Sequence, residues 1–188
     1  MKRIFIGTFI DESIFKNNSD ANNPDFKSYD SIIDDFKNVC CGKWVERENL
    51  HFTYKFLGNT EERLIPNIKL AMSEILCEHN FNVELTGLGV FPKPAKPNVL
   101  FAKLIDKDKK LKNLHNEIEN TMKKFGFEAE ERRFTPHLTL MRIKSSLQPD
   151  FQDILNKYKK MHFASLDLLK VYLIESKLYK TGPVYTIL

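Results

Sequence analysis

Apolar positions in the first half of the chain change repeatedly between the two-residue period of a strand and the 3.6-residue period of a helix. Residues 3–9 are β-branched and aromatic, as in a strand, and residues 28–40 place their apolar side chains on one helical face. Strand signals return at residues 44–57, a helical stripe follows at 61–76, and residues 81–91 predict another strand. The first half therefore predicts three strands separated by two helices.

The second half repeats this order. Apolar residues again alternate with the strand period on either side of two stretches with the helical period, and Gly126 stands where a helix C-cap is favoured. The predicted strands are residues 99–105, 134–143 and 163–174, followed by a short last strand, and the predicted helices are residues 111–125 and 149–160.

The shared order predicts an internal duplication in one domain that spans residues 1–188. The first repeat covers about residues 1–91, the second about 98–175, and a terminal strand covers about 183–188. The segment FPKPAKP between the repeats predicts a rigid connector, and DANNPD at residues 20–25 predicts a polar loop. Two copies of one unit usually pack about a pseudo-two-fold axis, so we expect equivalent strands to face each other across a central cleft.

The amino-acid composition is that of a globular protein, but it says little about the function. A length of 188 residues with 42% hydrophobic content allows one substantial domain or two small lobes that share a cleft. The 29 Lys and Arg residues exceed the 25 Asp and Glu residues by four, which favours an anionic ligand only mildly. We expect a monomer.

Cysteine usage and the first residues predict a cytoplasmic protein. Of the three cysteines, Cys40 and Cys41 are adjacent, which argues against a disulfide framework and for a reducing compartment. No clustered Cys and His set predicts a structural zinc site. The apolar run at the start is too short for a membrane span or a signal peptide, so we expect no membrane association.

Two strands carry the same pair of polar residues in the pattern His-x-Thr. Residues i and i+2 of a strand share a face, so His51 points the same way as Thr53, and His137 the same way as Thr139. Two imidazoles on either side of a substrate can act as general acid and general base, because their ordinary pKa is about 6.5. Threonine hydroxyls suit phosphoryl oxygens, and such a site needs no metal or other cofactor. This set of residues favours phosphodiester chemistry.

The histidines also allow other interpretations. A single His in a strand is more often structural than catalytic, and the repeated spacing alone is only suggestive. The other three histidines lack the Thr partner; His79 and His115 fall in predicted helices and His162 just after one, so we expect them to be solvated or structural. An RNA-binding module without turnover remains an alternative, although binding alone would not require two titratable groups on facing walls.

The motif segments LHFTYKFLG and RRFTPHLTLMRIK resemble the two HxTx signatures of the 2H phosphoesterase superfamily. The chain is most similar to its RNA 2′,3′-cyclic phosphodiesterase branch, also called the 2′-5′ RNA ligase family. The likeness extends from KRIFIGTFI through GLGVFPKPAKPNVLFAKL to SKLYKTGPVYTIL. It implies an α/β (α+β) fold of two pseudo-symmetric lobes, each an antiparallel-rich sheet with helices outside, and a cleft between them.

The resemblance also implies a reaction and roles for four residues. The expected reaction is hydrolysis of a 2′,3′-cyclic phosphate on RNA ends or small cyclic nucleotides to a 2′-phosphomonoester. His51 would be the proton donor and His137 the proton acceptor, an assignment that rests on the family alone. Thr53 and Thr139 would hold the phosphoryl oxygens. Ligation in the reverse direction, or a different cyclic phosphate, remains an alternative.

Several further residues are candidates for substrate contact. Arg142 lies three residues past the second Thr, where its guanidinium could clamp phosphate. Lys55 lies four residues after the first His, so we expect it to share the cleft face and to be able to approach phosphate, although relatives usually carry an apolar or small residue there. Asn98 lies where many relatives have Arg before a strand. The remaining candidates for base or backbone contact are Tyr54, Phe91, Arg133, Tyr185 and the connector residues Lys93 and Lys96.

Overall fold

The computed structural model describes residues 1–15 and 28–188, so the predicted polar loop at residues 20–25 lies outside the described part. The described part contains nine strands, four α-helices and three short 3-10 helices. The strands are β1 (Lys2–Phe9), β2 (Cys40–Trp44), β3 (His51–Thr60), β4 (Glu78–Lys93), β5 (Lys96–Asp106), β6 (His137–Ser146), β7 (His162–Lys170), β8 (Tyr172–Leu178) and β9 (Pro183–Ile187). The helices are α1 (Tyr29–Phe36), α2 (Ile65–Ala71), α3 (Lys110–Lys123) and α4 (Asp150–Lys157).

The strands form two antiparallel sheets, which confirms the predicted α+β fold class. Sheet A has the order β3-β1-β8-β9, and sheet B has the order β2-β6-β5-β4-β7. The two sheets meet where β3 contacts β6. The strands that begin with the two motif histidines therefore lie next to each other.

Each sheet contains strands from both halves of the chain. In sheet A, β3 and β1 come from the first half, whereas β8 and β9 come from the second. In sheet B, β2 and β4 from the first half pair with strands of the second. A lobe of this protein is therefore not a sequence repeat, because the strands that complete each sheet are supplied by the other half.

Aromatic packing joins two of the helices, α1 and α4. Ser28 caps α1 by accepting a hydrogen bond at its hydroxyl from the backbone N–H of Ser31, 3.1 Å away. The ring of Phe36 at the end of α1 packs against Phe151 in α4 at 5.5 Å and against Tyr158 at 5.9 Å. These contacts fix α1 and α4 beside each other on one side of the molecule.

The prediction of a connector at FPKPAKP was wrong, because this segment is the end of a hairpin. β4 continues to Lys93 and β5 begins at Lys96, so the turn has two residues. The other neighbours of these strands end their pairing before the turn, at Thr86 in β4 and Val99 in β5. Proline is compatible with such a projecting strand end, since its missing N–H faces no further strand.

The predicted long strand at residues 163–174 is two strands in different sheets. Val171 separates β7 from β8, and its N–H donates to the Cys77 carbonyl at 3.0 Å instead of extending a ladder. Cys77 lies just after the predicted helix at residues 61–76, which as an α-helix covers only Ile65–Ala71. His79 is therefore in β4 and not in a helix, and its Nε2 lies 2.8 Å from the Ile75 carbonyl.

Within the described ranges, no helix combines the length and the apolar content needed to cross a bilayer.

Candidate active site

Both motif histidines are held by the same backbone contact. The Nδ1 atom of His51 lies 2.6 Å from the carbonyl of Asn49, and that of His137 lies 2.7 Å from the carbonyl of Thr135. A carbonyl only accepts, so Nδ1 carries the proton in each ring and donates it. The Nε2 atom of each ring is thereby left to exchange a proton with a bound molecule.

Each histidine ring is packed between aromatic rings from its own sheet. His51 contacts Tyr185 edge-on at 4.8 Å and Phe5 at 5.0 Å. His137 contacts Phe91 edge-on at 5.0 Å and Phe101 at 5.2 Å. The rings restrict imidazole movement and remove water from one side of each.

These surroundings lower the pKa of both histidines. For His51 the largest cause is burial, which disfavours the charged ring; the Asn49 carbonyl opposes it, and the charges of Arg142 and His137 add to it. The pKa of His137 is lowered mainly by burial and further by Arg142. His51 is therefore within electrostatic range of both His137 and Arg142, and His137 is within range of Arg142, so the structure brings these three groups together.

Each motif strand has a β-bulge three residues after its histidine. In β3, Tyr54 has no partner in β1, because the paired residues pass from Thr53 directly to Lys55. In β6, Leu140 has no partner in β5 for the same reason. A bulge adds one residue to one strand and so reverses the alternation of faces after it.

The bulges decide which later side chains share a face with the histidines. The threonines precede the bulge and keep the histidine face, and neither Thr53 nor Thr139 makes a side-chain hydrogen bond to another described residue. Arg142 follows the bulge at the fifth position after His137 and is turned to the histidine face, exposed and without an ion pair to the described residues. The first motif places Phe56 at the equivalent position.

The extra residue of each bulge is anchored by a helix from the other half of the chain. His115 in α3 donates from Nδ1 to the carbonyl of Tyr54 at 3.0 Å, and Tyr29 in α1 shares its one hydroxyl proton between the carbonyls of Val45 at 2.8 Å and Leu140 at 3.1 Å. The His115 ring also stacks on Phe134 at 4.1 Å. From the sequence, His115 was expected to be solvated or structural and Tyr29 had no role, because nothing local to either residue identifies the distant carbonyl that it contacts.

The expectation that Lys55 shares the cleft face is wrong. The bulge turns its side chain toward the core, where it is 2% exposed. Its Nζ forms an ion pair with Glu119 at 2.8 Å and donates to the Glu128 carbonyl at 2.8 Å. Tyr54 is likewise sealed in the core and accepts a hydrogen bond from Thr8, so a base-stacking role for Tyr54 is also excluded in this structure.

The other candidates lie where a substrate could meet them or at the surface. Phe91 and Tyr185 contact the motif histidines, as described above. Arg133 is exposed in the segment before β6, and Asn98 is exposed inside β5 and not before it. The connector lysines 93 and 96 are exposed on either side of the hairpin turn. Their contact with a base or a backbone stays a prediction.

In the part of the chain that the structure describes, no group of three or more His, Cys, Asp or Glu side chains is arranged to hold a metal ion.

Comparison with known proteins identifies relatives along most of the chain. A family model for the 2'-5' RNA ligase superfamily matches residues 24–177. An RNA 2',3'-cyclic phosphodiesterase of Aquifex aeolicus is 36% identical over 148 residues, 78% of this chain and 79% of the relative. One of Archaeoglobus fulgidus is 30% identical over 183 residues, 97% of this chain and 96% of the relative.

Solved structures show the same fold. The crystal structure of TT0787 of Thermus thermophilus superposes with a TM-score of 0.75 at 23% identity, covering 99% of this chain and 94% of that one. E. coli LigT complexed with 3'-AMP superposes with a TM-score of 0.70 at 19% identity, covering 100% and 95%. With its family model, its relatives and its fold in agreement, the chain belongs to the 2'-5' RNA ligase superfamily, a family of enzymes.

Proposed function

We propose that this protein hydrolyses 2′,3′-cyclic phosphates at RNA ends to 2′-phosphomonoesters by two-histidine general acid and base catalysis without a metal. The observation that carries the proposal is the pair of imidazoles held in one tautomer, each with Nε2 unused, within electrostatic range of each other and of Arg142. The names of the relatives support the substrate class.

The reaction uses one histidine as base and the other as acid. Neutral Nε2 of His137 takes a proton from water as the water oxygen bonds to phosphorus. The P–O3′ bond breaks, and protonated Nε2 of His51 gives its proton to the leaving 3′ oxygen, so that the phosphate remains on O2′. The hydroxyls of Thr53 and Thr139 and the guanidinium of Arg142 stabilise the charge on the non-bridging oxygens.

The lowered pKa values of His51 and His137 fit a site in which a bound anion favours protonation of one ring. In the free protein, burial and Arg142 favour neutral rings near pH 7. A bound phosphate brings negative charge between the rings and offsets the repulsion, so one ring can hold the proton that the leaving group needs. Substrate binding and protonation of the acid are therefore coupled.

Single His51→Ala and His137→Ala variants test the proposal. Each should lose about 10²- to 10⁴-fold in kcat on a cyclic-phosphate-ended oligonucleotide while keeping its circular dichroism spectrum. His162→Ala is the matched control, because His162 is exposed on β7, and it should keep wild-type turnover. Unchanged turnover in either motif variant would contradict the mechanism, and full inhibition by EDTA would contradict metal independence.

The position of the product phosphate distinguishes hydrolysis from its alternatives. A 2′-phosphomonoester is expected, and the reverse 2′-5′ ligation should appear only with a 5′-hydroxyl acceptor in excess. Binding of RNA without turnover would identify a non-catalytic module. Monomeric state and cytoplasmic location stay predictions, and size-exclusion chromatography checks the first.

A further inference from the structure

Phe56 occupies the place in the first motif that Arg142 occupies in the second. Each is the fifth residue after its histidine and follows an equivalent bulge, so each is turned to the histidine face. Arg142 lies on the histidine face of sheet B, and Phe56 lies on the histidine face of sheet A. Its ring is 58% exposed, although it lies on a face that is otherwise lined by packed aromatic rings.

A continuous series of ring contacts joins Phe56 to the reacting centre. Phe5 contacts His51 at 5.0 Å and Phe56 at 5.9 Å, and it also contacts Tyr185 at 5.3 Å. Phe5 itself is buried, so Phe56 is the solvent-facing end of this series. A ring that is supported on one side and open on the other offers a planar surface to a nucleobase.

An exposed cation stands on the same face. Arg3 precedes Phe5 by two residues in β1, and β1 itself has no extra residue there, so the two side chains point the same way. Arg3 forms no ion pair with the residues that the structure describes. Arg142 and Arg3 both act on Tyr185: burial raises the pKa of its hydroxyl and Glu46 adds to that rise, whereas each guanidinium opposes it.

Two guanidinium groups without an ion pair to the described residues therefore lie within electrostatic range of Tyr185, that of Arg142 beside the histidines and that of Arg3 on β1. Unpaired arginines next to exposed aromatic rings match the alternation of phosphates and bases in single-stranded nucleic acid. A mononucleotide has one phosphate and would leave the outer arginine and Phe56 unused.

We propose that Phe56 and Arg3 form a subsite for the nucleotide that precedes the cyclic-phosphate end, with its base stacked on Phe56 and its phosphodiester paired with Arg3. The proposal rests on the proposed function for the position of the RNA end. It commits the surface to single-stranded RNA and predicts that oligonucleotides are preferred to cyclic mononucleotides.

The test compares kcat/KM on a tetranucleotide ending in a 2′,3′-cyclic phosphate with kcat/KM on the corresponding cyclic mononucleotide. The ratio should fall about tenfold in Phe56→Ala, since stacking on an aromatic ring contributes on that order per base. It should also fall in Arg3→Gln. Leu70→Ala in α2 and Arg63→Gln just before α2 are matched controls at exposed positions, and both should keep the wild-type ratio.

Direct binding separates this proposal from the proposed function. Fluorescence anisotropy with a labelled tetranucleotide that ends in a 3′-phosphate requires no turnover. Arg3→Gln should make the slope of log K against log salt shallower by about 0.7, the value for one phosphate contact on a single strand. Phe56→Ala should weaken binding about tenfold at every salt concentration and leave the slope unchanged.

The turnover and binding results together test the subsite separately from the proposed function. If wild-type protein shows no turnover but the two variants change RNA binding as stated, the subsite stands and the proposed function fails. If turnover occurs and the variants change neither the ratio nor the binding, the function stands and the subsite is wrong. A change in self-association of Phe56→Ala with unaltered RNA binding would make this face a contact between copies and would overturn the subsite.

Discussion

At the scale of single residues, Arg142 has two opposing effects on the histidines. Burial is the larger cause of the lowered pKa of both rings, and the charge of Arg142 lowers it further; in the proposed reaction the same charge attracts the phosphate whose arrival favours protonation. Because Arg142 has no ion pair within the described residues, its charge is available to a bound anion. The pH dependence of the proposed reaction should therefore depend in part on this guanidinium, although burial is the larger cause of both lowered pKa values.

Replacing Arg142 by Gln should move the bell-shaped pH profile of kcat/KM to higher pH. Removal of a nearby cation favours the charged imidazoles, so both pKa values rise, and with them the acidic and the basic limbs. Loss of the phosphate contact should also lower kcat/KM by about 10²-fold. Steady-state rates across the pH range measure both effects.

Arg142→Lys is the matched control for charge. It keeps a cation at this position, so its pH profile should stay near that of the wild type, although its rate falls because an ammonium lacks the bidentate geometry. A Gln variant whose profile coincides with the wild type would show that Arg142 does not set the histidine pKa values.

At the scale of elements, sequence predicted the motif strands but not the bulges inside them. The two-residue period correctly gave strands that carry His51 and His137 and predicted that each Thr shares the face of its His. The same period placed Lys55 in the cleft and gave Phe56 no role, because the extra residue at position 54 reverses the alternation. A bulge depends on the partner strand's register, which a local pattern does not contain.

The bulge in β3 also creates a buried ion pair that can be tested. Lys55→Met would leave the Glu119 carboxylate in the core without its cation, and that carboxylate already has one oxygen, Oε2, without a hydrogen-bond partner in the described residues. We expect a loss of about 3 to 5 kcal/mol in the free energy of unfolding. Urea denaturation followed by circular dichroism measures it.

Two further variants identify the cause. Lys55→Met combined with Glu119→Leu removes both charges and should recover much of the lost stability, because an apolar pair can replace a buried ion pair. Lys107→Met breaks the exposed Lys107–Glu84 pair and should leave stability nearly unchanged. A double variant as unstable as Lys55→Met would mean that packing, and not an unpaired charge, causes the loss.

At the scale of the whole molecule, the two halves are interleaved in a way that element order does not reveal. Periodicity tells which face of a strand is apolar, but it does not name the strand beside it. Thus the single predicted strand at residues 163–174 divides at Val171 between two sheets, and β4 of the first half lies between β5 and β7 of the second. These pairings join residues far apart in the chain, so a local sequence pattern does not contain them.

Interleaving predicts that neither half folds alone. Fragments 1–94 and 95–188, divided in the turn of the β4–β5 hairpin, should each lack a cooperative thermal transition, since each is missing strands from both sheets. Mixing them should restore the transition and the turnover. Circular dichroism melts and an activity assay check both results.

Protein cleaved at the same turn after folding is the control, and it should remain assembled and active. A cooperative transition in either fragment by itself would show that a half of the chain is an independent unit in spite of the shared sheets.

The position of Tyr185 has a consequence for synthesis on the ribosome. This ring belongs to β9, the last strand, yet it packs against His51 near the start of the first motif. A nascent chain in which both histidines have already been synthesised still lacks the Tyr185 ring that packs against His51. The site is therefore complete only once β9 has been made and has joined sheet A, and a nascent chain that stops short of β9 is not expected to hydrolyse a cyclic phosphate.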